Sequence, residues 1–314
     1  MASAKPDFAL PPQTVLHARY LLGDTLGGGA LGITYRAVQL DAPARGRVVA
    51  VKEFFPRALA VRAADGSVQP MPKGAADFAL YCARFVRGYR FLHAMADFPP
   101  LVPLLDLFEQ NGTAYVVMAY IEGETLAQRV KAHGAIPPRA LMRMMRSFLH
   151  DLAALHQRKI IHRAIMPENI LLRGENPPIL LDFGGARPDD WPLRRCPVLI
   201  GRGYLPPEQI CQSRQGSWTD VYALCATMYY ALTAKEPADA LERLFAAKTG
   251  KDDPLVSIRT LCPKLPRKQA DALMAGLSLD SAARPADFAA LESALYGSKI
   301  PHFAFRIPNW CARK

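Results

Sequence analysis

The spacing of apolar residues changes period once along this chain, and that change limits what it can fold into. From Tyr20 to Ile121, short runs alternate apolar with polar residues: Tyr20 to Leu26, Gly32 to Leu40, Arg47 to Phe55, Val102 to Glu109 and Thr113 to Ile121. Alternation of this kind marks half-buried strands. Gln110-Asn111-Gly112 sits between the last two runs, and Asn-Gly there signals a tight hairpin, because both residues tolerate positive φ. One stretch of helical period, about Ala75 to Met95 with Phe78, Phe85 and Leu92 on one face, interrupts the strands. Beyond Ile121 the period is helical. Pro138 suits the first turn of a helix whose Leu141, Met145, Phe148, Leu152 and Leu155 recur by four and three. Ser217 is placed to cap a nearly all-apolar helix through Val221, Leu224, Met228 and Leu232. Further helices are expected over Ala238 to Lys248, Arg267 to Leu277 and Pro285 to Tyr296. The pattern predicts an α+β, two-lobed fold: a small β-rich lobe with one main helix, then a larger, mainly helical lobe. The link at Tyr120 to Gly123 would line the cleft between them.

With 50% hydrophobic and 21% charged residues, the 314-residue chain has an ordinary globular composition and is long enough for a substantial core. No apolar run approaches 18 residues, so no membrane span is expected. The first residues, MASAKPDFALPPQ, lack the apolar core of a secretory leader, and a cytoplasmic location is expected. The six cysteines form no CxxC pair and the seven histidines no HxxxH, which predicts reduced thiols and no structural metal. A net charge of +11 comes without any recognition motif for nucleic acid, so no nucleic-acid partner is expected.

Leu26-Gly27-Gly28-Gly29-Ala30-Leu31-Gly32 contains GxGxxG. Alone this is a weak signal, but it lies between two strands rather than before a helix. That position argues against a dinucleotide fold and for a glycine hairpin laid over phosphates. In Val49-Ala50-Val51-Lys52 the alternation puts a lysine ammonium on one strand face. Then come Ile161-His162-Arg163-Ala164-Ile165-Met166-Pro167-Glu168-Asn169, Leu181-Asp182-Phe183-Gly184, Pro206-Pro207-Glu208 and Asp220. In this order and spacing the chain resembles the eukaryotic-like Ser/Thr protein kinases of bacteria, over about Tyr20 to Tyr296. The resemblance divides the chain into an N-terminal tail (1–19), a kinase N-lobe (20–122), a kinase C-lobe (123–296) and a basic, aromatic C-terminal tail (297–314). It implies a nucleotide site of Leu26, Gly27, Gly29, Gly32, Ile33, Ala50, Lys52, Met118, Tyr120 and Leu171. It also implies magnesium ligands at Asn169 and Asp182, with ATP or ADP and Mg2+ as the cofactors, and an ion pair between Arg284 and Glu208.

Several residues depart from the family pattern. Where active members carry the aspartate that takes or orients the substrate hydroxyl's proton, this chain has Ala164, and a methyl group cannot act as a base. The family's lysine two residues on is Met166, and the threonine seven residues before Glu208 falls on Gly201. The helix glutamate that would hold Lys52 falls on Gly88, and no Glu occurs between Glu53 and Glu109. Glu53 points to the opposite strand face, and Asp77 lies about three helical turns from Gly88. Lys52, so released, is expected to pair with Asp182 and hinder magnesium. From Asp182 to Glu208 there is no Ser or Thr, and Tyr204 is the only hydroxyl. No catalytic set is intact. The resemblance, so qualified, implies a pseudokinase: a signalling scaffold or allosteric regulator that engages a protein partner and binds ATP or ADP. The alternative reading is an active, atypical Ser/Thr kinase transferring the γ-phosphate to a protein hydroxyl. Arg84, Arg87 and Arg90 read as a solvated basic face or a docking row for an acidic partner, and the C-terminal tail as packed on the large lobe.

Overall fold

The computed structural model describes residues 8–29, 31–41, 46–93, 102–174, 176–188 and 203–297. The small lobe comprises β1 (Val15–Leu16), β2 (Tyr20–Gly28), β3 (Gly32–Gln39), β4 (Arg47–Phe54), β5 (Ala60–Arg62), β6 (Val68–Pro70), α1 (Ala75–His93), β7 (Leu104–Gln110) and β8 (Thr113–Ala119). Six of these strands form one antiparallel sheet in the order β1-β2-β3-β4-β8-β7. At the β7–β8 turn Asn111 and Gly112 have φ of 52° and 71°, the two consecutive positive values that a tight hairpin of this hand requires.

Register in β4 decides which residues face the cleft. Thr34 and Val116 lie opposite Lys52, while Ile33 and Tyr115 lie opposite Glu53. Cross-strand partners share a face, so Lys52 and Thr34 look into the cleft and Glu53 looks out. The outward face is covered. Glu53 is fully buried, accepting from Tyr35 Oη at 2.8 Å, Tyr115 Oη at 2.9 Å and Arg62 Nη2 at 2.6 Å. Arg62 belongs to the β5–β6 hairpin, whose strands of three residues each are too short to show a period in the sequence.

The expected N-terminal tail is, from Phe8 onward, part of the small lobe. Leu10 and Leu16 are buried, β1 extends the sheet, and Phe8 stacks on Phe55 with ring centroids 5.5 Å apart. Arg62 Nε donates to Phe8 O at 2.6 Å, and Leu10 N donates to Tyr35 Oη at 3.0 Å. The apolar residues of this stretch have no regular spacing, so only the tertiary contacts reveal the strap.

The large lobe follows with β9 (Glu124–Thr125), α2 (Leu126–His133), α3 (Pro138–Gln157), β10 (Ile160–Ile161), β11 (Ile170–Arg173), β12 (Asn176–Leu180) and β13 (Arg187–Pro188). The remaining helices are α4 (Pro207–Ile210), α5 (Ser217–Thr233), α6 (Ala240–Lys248), α7 (Ile258–Leu261), α8 (Arg267–Gly276) and α9 (Phe288–Tyr296). Their core joins Met145 and Phe148 of α3 to Leu224 and Met228 of α5, Leu273 of α8 and Leu291 of α9. Met142 and Met145 are buried there as filler. Ser217 does not cap α5. It is the first helical residue, and the preceding Gly216 lies against the Trp218 ring, where a Cβ would collide. Among the described residues no helix is long and apolar enough to cross a membrane.

Candidate functional site

Between the lobes lies a cleft of about 1630 Å³. It is lined by Leu26, Gly27, Gly29, Gly32, Ala50, Lys52, Met118, Tyr120, Leu171, Asn169 and Asp182, and also by Ala164, Met166 and Gly88. These positions come from the glycine hairpin, β4, the end of β8 and the link after it, the 161–169 segment, β11, the segment after β12 and α1, which the fold brings to one place. Ile33 is the exception. It is buried on the outer face with Glu53, and Thr34, one residue on, lines the cleft in its stead. The link expected to line the cleft does so through Tyr120, Ile121 and Gly123, whereas sequence reasoning missed Ala119 and Leu181 in the lining; the strand pairing of Thr34 with Lys52 is the signal that would have corrected the slip at Ile33. Gly201 lies outside the described residues.

The glycine hairpin is sterically obligatory at Gly32, where a Cβ would run into the carbonyl oxygen of Glu53. Lys52 meets Asp182, with Nζ 2.5 Å from Oδ1. The same oxygen accepts Gly184 N at 2.9 Å and Tyr89 Oη at 3.4 Å. Burial works to raise the pKa of Asp182, but the neighbouring Lys52 ammonium overrides it, so the carboxyl stays below its ordinary range. Asn169 Nδ2 donates to Ala164 O at 2.8 Å, which turns its amide oxygen away from that contact. Among the described residues Asp182 Oδ2 takes no protein donor. An amide oxygen and a carboxylate oxygen are hard donors that suit Mg2+, so Asn169 and Asp182 fit the ion, with Lys52 as the competitor for Asp182.

The frame around this site is complete. Asp220 Oδ2 accepts His162 N at 2.6 Å and Oδ1 accepts Arg163 N at 2.7 Å, while His156 Nε2 lies 3.2 Å from Oδ2. These bonds hold Arg163 at φ 68°, a conformation L-residues adopt only when their surroundings impose it. Burial would raise the pKa of Asp220, but His156 and His162, whose backbone N–H it accepts, act together against it and hold the carboxyl low. Arg163 Nε donates to Gln215 Oε1 at 2.7 Å. Glu208 is buried against Arg284, at 2.7 Å and 3.1 Å through two nitrogens, as the resemblance implies. Tyr204 is buried, edge-on to Tyr230. On α1, Arg84 and Arg87 line the cleft, whereas Arg90 is exposed outside it.

His162 gives this frame a pH dependence. It is fully buried, accepts Ala164 N on Nδ1 at 3.3 Å and meets the Phe183 ring edge-on. Burial pushes its pKa down to about 4. The unfolded chain therefore binds a proton below about pH 6.5 that the native state refuses until about pH 4. The stability this contributes is full above pH 6.5 and is lost as pH falls through that window, by about 2 kcal/mol between pH 7 and pH 5. Urea unfolding at the two pH values should show that loss, and His162→Gln should flatten it.

Comparison with known proteins agrees with this architecture. Residues 20–269 match the protein kinase domain. The chain is 30% identical over 236 residues to serine/threonine-protein kinase PknA of Nostoc sp., covering 72% of this chain and 39% of that protein. It is 32% identical over 307 residues to serine/threonine-protein kinase pkn2 of Myxococcus xanthus, covering 94% of this chain and 34% of the relative. It thus spans between a third and two fifths of these relatives' length. The solved structure described as PpkA-294 apo form superposes with a TM-score of 0.75 at 24% identity, covering 92% of this chain and all of that one, a likeness of fold. With the motifs in order, the two lobes and the cleft in place, the chain belongs to the bacterial eukaryotic-like Ser/Thr protein kinase family.

Proposed function

We propose that this chain is a catalytically impaired kinase-family protein that binds ATP or ADP with Mg2+ without efficient turnover and acts as a signalling scaffold or allosteric regulator. The observation that carries this is Ala164. Among the described residues, the only carboxylates lining the cleft are Glu168 and Asp182, and Asp182 is engaged by Lys52. Glu168 lies beyond Met166, and burial pushes its pKa up. Loss of a general base costs about 10² to 10⁴ in rate, roughly 3 to 5 kcal/mol of barrier. Met166 and Gly88 remove two positioning groups from the same transition state.

Nucleotide binding has separate support: the glycine hairpin, Lys52 and an apolar slot formed by Leu26, Ala50, Met118 and Leu171 all face one cleft. When bound, the magnesium would neutralise phosphate charge, with Asn169 and Asp182 holding it. The scaffold role is supported by the retained frame: Asp220 with His156, and Glu208 with Arg284, keep their buried contacts although the 161–169 segment lacks the family's aspartate and lysine.

Two measurements test the reading. Thermal melts should rise with Mg-ADP or Mg-ATP and lose that rise in Asp182→Ala; an unchanged melt at millimolar nucleotide would reject nucleotide binding. Transfer of labelled γ-phosphate to the chain itself and to a generic protein should stay at background. Transfer at an ordinary kinase rate that Asp182→Ala abolishes would establish an enzyme instead.

A further inference from the structure

Residues 8–16 cross the back of the small lobe as a strap, and the seat they occupy belongs to other parts of the chain. Phe8 stacks on Phe55 with the rings 6° from parallel, and the Arg57 guanidinium lies over the same Phe8 ring, 4.0 Å from its centre. Arg62 lies over Phe55 at 4.7 Å and donates to Phe8 O, while Tyr35 Oη accepts Leu10 N. Guanidinium groups set against ring faces and a carbonyl oxygen make the fit electrostatic as well as apolar. Tyr35 comes from β3, Phe55 and Arg57 from the link after β4, and Arg62 from β5. The strap supplies none of its own seat, so residues 8–16 of any copy of this chain satisfy it equally.

The turn that folds the strap back is strained. Between β1 and β2 stand His17, Ala18 and Arg19, and the first two have φ of 51° and 50°. Neither is glycine, and in this region a Cβ crowds the backbone, so the closed turn is held at a cost. It is held by His17 N, which donates to Gln110 Oε1 at 2.7 Å, and by the His17 ring on Phe108, with 4.6 Å between centres. Extended, the same three residues shed the strain and carry β1 to the β2 of a neighbour. Large apolar side chains stand exposed along this path. Val15 lies on the strap (46%), Leu40 bonds the Arg19 carbonyl through its N–H (50%), and Val61 lies on the hairpin that seats the strap (48%).

We propose that this chain forms a two-fold dimer by exchanging residues 8–16, each strap occupying the seat of the other copy. Every contact between strap and seat is kept in the exchange. The balance between one copy and two therefore turns on the hinge at His17 and Ala18, and on the apolar surface that the second copy covers. The strand carrying Lys52 and Glu53 is then backed by the neighbouring copy. None of this depends on the nucleotide reading above.

The test uses the full chain. Sedimentation at rising concentration should show a monomer–dimer equilibrium. Ala18→Gly removes the strain of the closed turn and should raise the dimer dissociation constant about tenfold. Ala18→Pro fixes φ near about −65°, which forbids the closed turn and permits the extended one, and should give dimer alone. Among the described residues the Ala18 N–H donates to no group, so proline costs no hydrogen bond there. To identify the joining surface, Arg57, exposed and over the Phe8 ring, is replaced by benzoylphenylalanine in light and heavy isotope preparations, which are mixed, equilibrated and irradiated. Cross-links from position 57 to the strap should join light peptides to heavy ones. A wild type that stays monomeric at every soluble concentration overturns the proposal. So does a dimer whose strap cross-links pair only like isotopes, or a dissociation constant that Ala18→Gly leaves unchanged. These outcomes decide the matter even if Ala18→Pro fails to fold.

Discussion

Arg284→Ala is expected to cost about 3 to 5 kcal/mol of stability, because it strands a buried carboxylate. Arg284 reaches both oxygens of Glu208, and its remaining donors go to Ser278 O at 2.8 Å, Leu279 O at 3.3 Å and Trp218 O at 3.3 Å. Without it Glu208 keeps only the Thr219 hydroxyl, at 2.9 Å. A domain stable by about 5 to 15 kcal/mol loses a large part of its margin, so urea unfolding should show a much lower midpoint with little change in slope. Arg284→Lys should recover only part of the loss, since an ammonium cannot reproduce a two-pronged contact. Acid should narrow the deficit of Arg284→Ala. A stranded carboxylate has a raised native pKa, the native state then holds more protons than the unfolded chain, and the penalty grows as pH rises through that pKa. A deficit that does not vary with pH would show that Glu208 is not the origin of the cost.

Arg62→Ala should have an effect of similar size, about 3 kcal/mol or more, in the small lobe. Its guanidinium spans Glu53, Phe8 O and Gly66 O, the last at 2.9 Å, and lies over the Phe55 ring. The substitution therefore removes a charge partner and the N-terminal strap together. Tyr35 and Tyr115 still donate to Glu53, which sets the expected value at the lower end of the buried-pair range. Glu53→Gln on its own loses the same pairing, and the double variant Arg62→Ala with Glu53→Gln should be less destabilised than the two singles combined, by roughly 1 to 3 kcal/mol of coupling. Strict additivity in a double-mutant cycle would deny the pair.

Long, periodic elements were legible in the sequence, and short or tertiary ones were not. The β7–β8 hairpin declared itself through Asn111 and Gly112, and α3 through apolar residues spaced by three and four. The pairing of Lys52 with Asp182 followed from a lysine left without a helix glutamate, and the geometry bears it out. Ile33 shows the limit. A resemblance locates a residue to within one position, but a strand turns successive side chains to opposite faces, so a slip of one exchanged a core residue for the cleft-lining Thr34. The β5–β6 hairpin left no periodic trace because its strands are three residues each, and the segment from Phe8 to Leu16 left none because its burial comes from Arg62, Phe55 and Tyr35, far off in sequence. Ser217 fails as a cap because the helix begins one residue earlier, at Ser217 itself, with Gly216 as the cap and its N–H given to Thr219 Oγ1 at 3.2 Å.

Lys52 and Glu53 are neighbours on β4, one facing the cleft and the other clasped from behind. Whatever tugs on one displaces the peptide bond they share. By reciprocity, if cleft occupancy slows amide exchange in the strap, loosening the strap must weaken the occupant's hold by the same factor. On the reading proposed above, that shared peptide unit would be the route by which the cleft and the strap behind the sheet sense one another.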